Sequence, residues 1–232
     1  AAAASRCQVM VGNAIVDSCR KLLDAMRRPD GTYRTYEEMV DEGIPTFYEG
    51  YWQATVRNID GEAITCTGMD DVTGQGYPFA NHMFGLFMAE VAVDMKTGKT
   101  TVERFTLVSD VGKINNFDVV EGQHYGGIAQ GIGLALTEDF GDPAKYTNLV
   151  TCGFPYIKDI PDDIRLHHME TPREFGPFGA SGTGEMPLSA PHPAILNGIA
   201  RACGVRIFQI PALPEKVLQG MKEDGCSGSC GH

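Results

Sequence analysis

The stretch GASGTGEMPL, residues 179–188, sets a lone carboxylate, Glu185, behind three glycines, Gly179, Gly182 and Gly184. With so little side-chain bulk beside it, the carboxylate has room for a flat cofactor or substrate. Burial there would raise its pKa toward the range a general base uses. The same glutamate could equally be a loop residue in solvent, and spacing alone does not separate the two. The run is not a phosphate-binding P-loop, because GxxxxGK is missing. Nor is it a dinucleotide fingerprint, since the glycine order is wrong and Pro187 follows. A second polar set, Ser5, Arg6, Cys7 and Gln8 in ASRCQ, offers hydroxyl, guanidinium, thiol and amide just ahead of a helix. Such a segment could grip a phosphate or a polar heterocycle.

The remaining reactive side chains form no legible set. His167 and His168 are adjacent on an expected strand, so they point to opposite faces and cannot share a metal; they read as ordinary strand residues. His124 and His192 have no partner at ligand spacing, and a capping or surface role is their default. Ser-His-Asp and Cys-His arrangements and GxSxG are absent. Seven cysteines, at 7, 19, 66, 152, 203, 226 and 230, include no CxxC pair, which argues against a zinc-ribbon or ferredoxin signature. They fit reduced thiols in a cytoplasmic compartment. Cys226, Cys230 and His232 could surround a metal, but GCSGSCGH reads as a flexible terminus over 223–232.

The elements that must position these groups follow from periodicity. Residues 9–28 form an amphipathic helix with a core stripe of Ile15, Cys19, Leu22, Leu23 and Met26. Pro29-Asp30-Gly31 is a turn, and Thr35 with Glu38 opens a short helix that Gly43 ends. Strands and loops occupy 46–76. Residues 86–94 and 99–108 form a hairpin, and Asp118 with Glu121 opens a helix running to about 136, its core stripe Ile128, Ile132, Ala135 and Leu136. Glycines 122, 126, 127, 131 and 133 inside that helix each cost roughly 0.8–1 kcal/mol relative to Ala, so something packs very close to it. Tight helix–sheet packing would account for some of them. Strands are expected at 149–157, 163–169 and 205–210, and helices at 191–203 and from 214. The expected class is α/β, with mixed sheets and packed helices in one domain, 1–222, of one or two lobes.

Composition bounds the partners. A net charge of −11 argues against nucleic acid or an anionic membrane, and no apolar run approaches the ~20 residues a membrane span needs. AAAAS does not read as a secretory signal. Lacking an initiator Met, the chain reads as a processed product or one segment of a longer polypeptide.

Taken in order, AAAASRCQVMVGNAI, TGQG, AEVAVDMKTGKTTV, SDVGKINN, EGQHYGGIAQGIGLALTEDF, GPFGASGTGEMPLSAPHPAI and GVRIFQIPALPEKV resemble one family. The likeness is to the C-terminal part of the molybdenum-binding subunit of the xanthine oxidase family. Within it, the chain is most similar to bacterial aldehyde oxidoreductases carrying molybdopterin cytosine dinucleotide, and the likeness covers residues 1–222. The resemblance implies a molybdenum with oxo and sulfido groups, held through the pterin dithiolene, with no protein side chain as metal ligand. It makes Glu185 the base that deprotonates the molybdenum-bound hydroxide. It assigns Ala4, Ser5, Arg6, Cys7, Gln8, Gln123 and Gly184 to the cofactor.

Aldehydes would be oxidised to carboxylic acids with water as oxygen donor. Hydroxylation of an N-heterocycle and a non-catalytic scaffold are the alternatives. Other segments or subunits of an oligomer would supply the rest of the pocket, the [2Fe-2S] clusters and any FAD. Cys7 stands where the family suggests glutamine or serine, and Tyr125 where many relatives have Glu. The family's first pterin-binding segment lies outside these residues, so the chain should be inactive alone.

Overall fold

The computed structural model describes residues 5–227, so Ala4, Cys230 and His232 lie outside the described residues. The chain divides into two compact units. One comprises residues up to Met83, Val111–Asn115 and Glu170–Gly182; the other comprises Phe84–Asp110, Asn116–Met169 and Thr183 onward.

The first unit holds helix α1 (Cys7–Met26), helix α2 (Tyr36–Asp41) and a two-stranded antiparallel sheet of β1 (Thr55–Arg57) and β2 (Ala63–Thr65). The Thr35–Glu38 capping box forms with both of its bonds, Glu38 N–H to Thr35 Oγ1 at 3.3 Å and Thr35 N–H to Glu38 Oε2 at 2.8 Å. The apolar stripe expected to bury α1 does not do so. Ile15, Cys19 and Leu23 are exposed, and Val9 is the buried residue of the helix. The reason is that α1 docks through a different flank. Gly12 meets Pro177, Asn13 Nδ2 donates to Phe175 O at 2.8 Å, and Asp17 Oδ2 accepts from Tyr51 N–H at 2.9 Å. Small and polar residues bring the neighbouring loops closer than leucines would allow. Loops 111–115 and 170–182 are stitched to each other by Lys113 N–H to Gly179 O at 2.9 Å and Ser181 N–H to Val111 O at 3.1 Å.

The second unit is built on a three-stranded mixed sheet in the order β3-β4-β5: β3 (Phe84–Val93), β4 (Thr100–Asp110) and β5 (Asp163–Met169). β3 and β4 are the expected hairpin, antiparallel with a bulge between Glu90 and Val91, and β5 runs parallel to β4. A parallel neighbour requires a crossover connection, and the residues between β4 and β5 include helix α3 (Phe117–Leu136). Helices α4 (Met186–Ser189), α5 (Pro191–Cys203) and α6 (Pro214–Ser227) complete the unit. The core comprises Phe105 and Leu107 of β4, Ile128 and Ile132 of α3, Ile195 and Ile199 of α5 and Val217 of α6. The mixed α/β class read from the sequence is therefore the fold observed.

Several expectations are corrected. Helix α3 is capped by Asn116, whose Oδ1 accepts from Val119 N–H at 3.1 Å, and Asp118 lies in its first turn. Residues 149–157 are turns followed by a short 3₁₀ segment at Ile157–Asp159, because Asn148 Oδ1 captures the N–H groups of Val150 and Thr151 and diverts them from any ladder. Residues 205–210 are irregular; only Val205 is buried among them, against Gly220, and no strand pairs with them among the described residues. The tail expected from 223 instead continues α6 to Ser227.

The glycines of α3 fall into two classes. A Cβ on Gly127 would lie 2.5 Å from Pro187 Cβ, and one on Gly131 would lie 2.6 Å from Pro191 Cβ. Gly133 lies against Glu138 and Pro155. Gly122 and Gly126 have nothing within 4 Å of that position. Tight packing thus accounts for three of the five. In the protein carrying this chain, G127A or G131A should therefore destabilise by about 1–3 kcal/mol through overpacking. G122A and G126A should each stabilise the cofactor-free protein by roughly 0.8–1 kcal/mol through helix propensity. Urea midpoints compared across the four variants check both signs.

Candidate functional site

The first unit contains a cavity of about 630 Å³ at the start of α1. Ser5, Arg6, Cys7, Asn81, Ser181 and Gly182 line it, with Met10, Phe79 and Met83 among its apolar surfaces. Two segments singled out in the sequence, ASRCQ and the front of GASGTGE, therefore meet here. They do so because Gly182 has no side chain: a Cβ there would run into Ser5, coming 2.6 Å from its Cβ. Ser5 carries a positive φ of 53° as the chain turns into the helix. Arg6, the N-cap, makes no side-chain capping bond, and the first turn of α1 has no acid. The positive end of a helix dipole at such a position favours an anion. Gln8 is half-buried and is not on the cavity wall.

Sequence reasoning missed Asn81. Its Nδ2 is buried with no hydrogen-bond partner among the described residues, on the wall of the same cavity. A buried amide donor left unpaired costs about 1–3 kcal/mol, which a bound acceptor would recover. No motif in the sequence marks this asparagine.

In the second unit, helix α3 presents two different faces to the candidate chemistry. Gly122, Gln123, Tyr125 and Gly126 are exposed, and the two glycines leave bare backbone beside Gln123. His124 and Gly127 lie on the buried face, under residues 183–188. Glu185 is the residue before α4; its side chain is exposed and caps nothing. The burial expected for this carboxylate is therefore not provided by the described residues of this chain. Gly184 beside it is also exposed. Thus Glu185, Gly184 and Gln123 belong to the second unit, whereas Ser5, Arg6, Cys7 and Gln8 belong to the first.

The histidines depart most from expectation. His124 is fully buried, not at the surface, and its ring stacks on His168 with centroids 5.2 Å apart and planes 24° from parallel. His124 Nε2 lies 3.1 Å from Thr183 Oγ1. His168 Nδ1 lies 3.1 Å from Ser109 Oγ and its Nε2 lies 3.4 Å from Glu121 Oε1, while Phe117 meets its edge. His167, on the opposite face of β5, is exposed as strand alternation requires. Burial, assisted by the neighbouring His168, lowers the His124 pKa to about 4. Burial also pushes up the carboxyl of Glu138 past the end of α3. Among the described residues no group of three or more His, Cys, Asp or Glu could hold a metal ion, and no helix is long and apolar enough to cross a membrane.

Comparison with known proteins gives this geometry a context. A family model described as "Molybdopterin cofactor-binding domain" matches residues 1–161. The chain is 51% identical over 218 residues to an aldehyde oxidoreductase of Megalodesulfovibrio gigas, covering 94% of this chain and 23% of that protein. It is 36% identical over 140 residues to the nicotine 6-hydroxylase large subunit of Paenarthrobacter nicotinovorans, covering 57% of this chain and 17% of the relative. Among solved structures, the aldehyde oxidoreductase from Desulfovibrio gigas superposes with a TM-score of 0.87 at 50% identity, over 95% of this chain and 23% of the other. The chain thus spans about a quarter of the length of the aldehyde oxidoreductases it matches.

The depressed His124 pKa predicts a pH-dependent stability. Below about pH 6.5 the unfolded state takes up a proton that the folded state refuses until about pH 4. Stability should be fully present above pH 6.5 and fall by about 2–3 kcal/mol as pH drops through that window. Urea denaturation of the protein carrying this chain, repeated between pH 8 and pH 4.5, should show the decline, and H124Q should flatten it.

Proposed function

Because the chain belongs to the molybdopterin cofactor-binding domain family, we propose that it forms the C-terminal portion, residues 1–222, of a molybdenum hydroxylase that oxidises aldehydes to carboxylic acids. The observation that carries the reading is Glu185, an exposed carboxylate held between glycines and a buried Met-Pro pair, on a chain half identical to an aldehyde oxidoreductase. The residues fit the cofactor on two structural grounds. The first unit offers a cavity with an orphaned amide donor and the uncapped start of a helix, suited to phosphate and heterocycle. The second offers an open glycine face beside Gln123, suited to a flat ring.

In this reading Ser5, Arg6, Cys7 and Asn81, on the cavity wall, hold the nucleotide or phosphate part of molybdopterin cytosine dinucleotide, and the family likeness adds Ala4 and Gln8 of the same segment. Gln123 hydrogen-bonds the pterin edge, and Gly122 and Gly126 leave room for it. When bound, the molybdenum group supplies two-electron oxidation of the substrate carbon, with water as the oxygen source. Glu185 accepts at its carboxylate the proton of the oxygen to be transferred, and its exposed side chain can then release that proton. Gly184 keeps side-chain bulk away from the reacting atoms. Other segments or subunits of an oligomeric enzyme supply the remaining pocket and the [2Fe-2S] clusters, and FAD where a flavin is used. The unpaired thiols of Cys7, Cys19, Cys66, Cys152 and Cys203 suit a cytoplasmic, reducing compartment.

The likeness to a nicotine 6-hydroxylase large subunit favours a second reading, hydroxylation of an N-heterocycle. Turnover of aldehydes against nicotine-type and purine-type heterocycles by the intact enzyme separates the two.

E185Q in the intact enzyme should retain molybdenum and release CMP on hydrolysis, as the parent does, while kcat falls about 10²–10⁴-fold. Undiminished turnover would remove Glu185 as base. Absence of both molybdenum and CMP from the parent would favour a scaffold without catalysis. G126L should lower the molybdenum content per chain while leaving Glu185 untouched, because it fills the open face of α3; full loading would move the pterin elsewhere.

A further inference from the structure

Glu185 itself makes no capping bond and is exposed, so whatever fixes its direction must act through the backbone on either side. On the C-terminal side, Met186 and Pro187 are buried, Pro187 against Gly127 of α3 and Met186 against Gly85 of β3. On the N-terminal side, the buried anchor is Thr183, whose Oγ1 meets His124 Nε2 at 3.1 Å. His124 and Gly127 are three residues apart on one face of α3, so a single helical turn supports both sides.

We infer that the His124–Thr183 hydrogen bond, braced by the stacked ring of His168, is a positioning device that fixes the orientation of Glu185. This rests on the reading of Glu185 as the base.

The arrangement suits the task. His168 is held from both ring nitrogens, by Ser109 of β4 and Glu121 of α3, so it offers a fixed plane for the second imidazole. His124 Nδ1 is buried with no partner among the described residues, leaving Thr183 as the ring's polar attachment. Burial keeps His124 uncharged at neutral pH, so the contact does not weaken there through protonation. Between the two anchors lie only the exposed Gly184 and Glu185, a span short enough to restrict the carboxylate. A misplacement of about 1 Å in a reacting group is enough to cost about 10²-fold in rate.

The test is made on the intact enzyme, with T183V, T183S and H124L beside E185Q. T183V removes the hydroxyl with little change of shape. It should lower kcat about 10- to 100-fold, leave KM within about twofold and leave molybdenum content unchanged. T183S should recover most of the lost kcat. A second readout is independent of turnover: backbone amide exchange across residues 183–188 should quicken in T183V and H124L and stay near the parent rate in T183S and E185Q. If E185Q abolishes turnover while T183V shows parental kcat and exchange, the positioning inference falls and the base assignment stands. If E185Q remains fully active, the base assignment falls instead. Should H124L prove too unstable to purify, the T183V and T183S pair decides the matter.

Discussion

The second unit depends on how closely helix α3 and residues 183–191 approach one another. Two prolines, Pro187 and Pro191, sit where side chains of α3 would otherwise be, and they fit only because positions 127 and 131 are glycine. Each such glycine costs roughly 0.8–1 kcal/mol of helix propensity. Proline packed on bare backbone returns dispersion contacts and loses little conformational freedom, because its φ is already fixed. The helix and the segment are therefore closely packed, and Glu185 is carried on their surface.

That constraint explains how an exposed carboxylate can be a defined chemical group. A glutamate free in solvent samples many rotamers and a mobile backbone. Glu185 has its backbone immobilised on both sides, with Thr183, Met186 and Pro187 buried. On the buried face of α3, His124 has its Nε2 paired with Thr183 and its ring stacked on His168. The helix is thereby used twice. One face locks the segment carrying the acid, while the other, with Gly122, Gln123 and Gly126, remains open.

The first unit solves a related problem with different means. Its cavity is formed where the start of α1 meets a loop pair stitched by backbone hydrogen bonds, and Gly182 permits the meeting by lacking a side chain. The Asn81 amide nitrogen has no hydrogen-bond partner among the described residues, which is how a binding surface differs from a core.

Much of this was legible in the residues themselves. The 86–94 and 99–108 hairpin, the α2 capping box and the helix after Pro191 were readable because each is fixed by local periodicity and capping. Glu185, Gln123 and the ASRCQ segment were singled out by residue type and by family likeness. Where tertiary partners outweighed local preference, the sequence misled. Val150 and Thr151 favour a strand, but Asn148 takes their N–H groups. The stripe of α1 favours burial, but the helix docks through Gly12, Asn13 and Asp17 instead. The buried histidine stack and the orphaned Asn81 had no local signal, because His124 meets Thr183 and His168 only after α3, β5 and the 183–188 segment have packed. The sequence by itself determined the elements fixed by local periodicity and capping, and singled out the candidate residues. Tertiary structure alone decided which glycines are filled by proline and which are open, and which histidine braces the acid, because these depend on contacts between residues tens of positions apart.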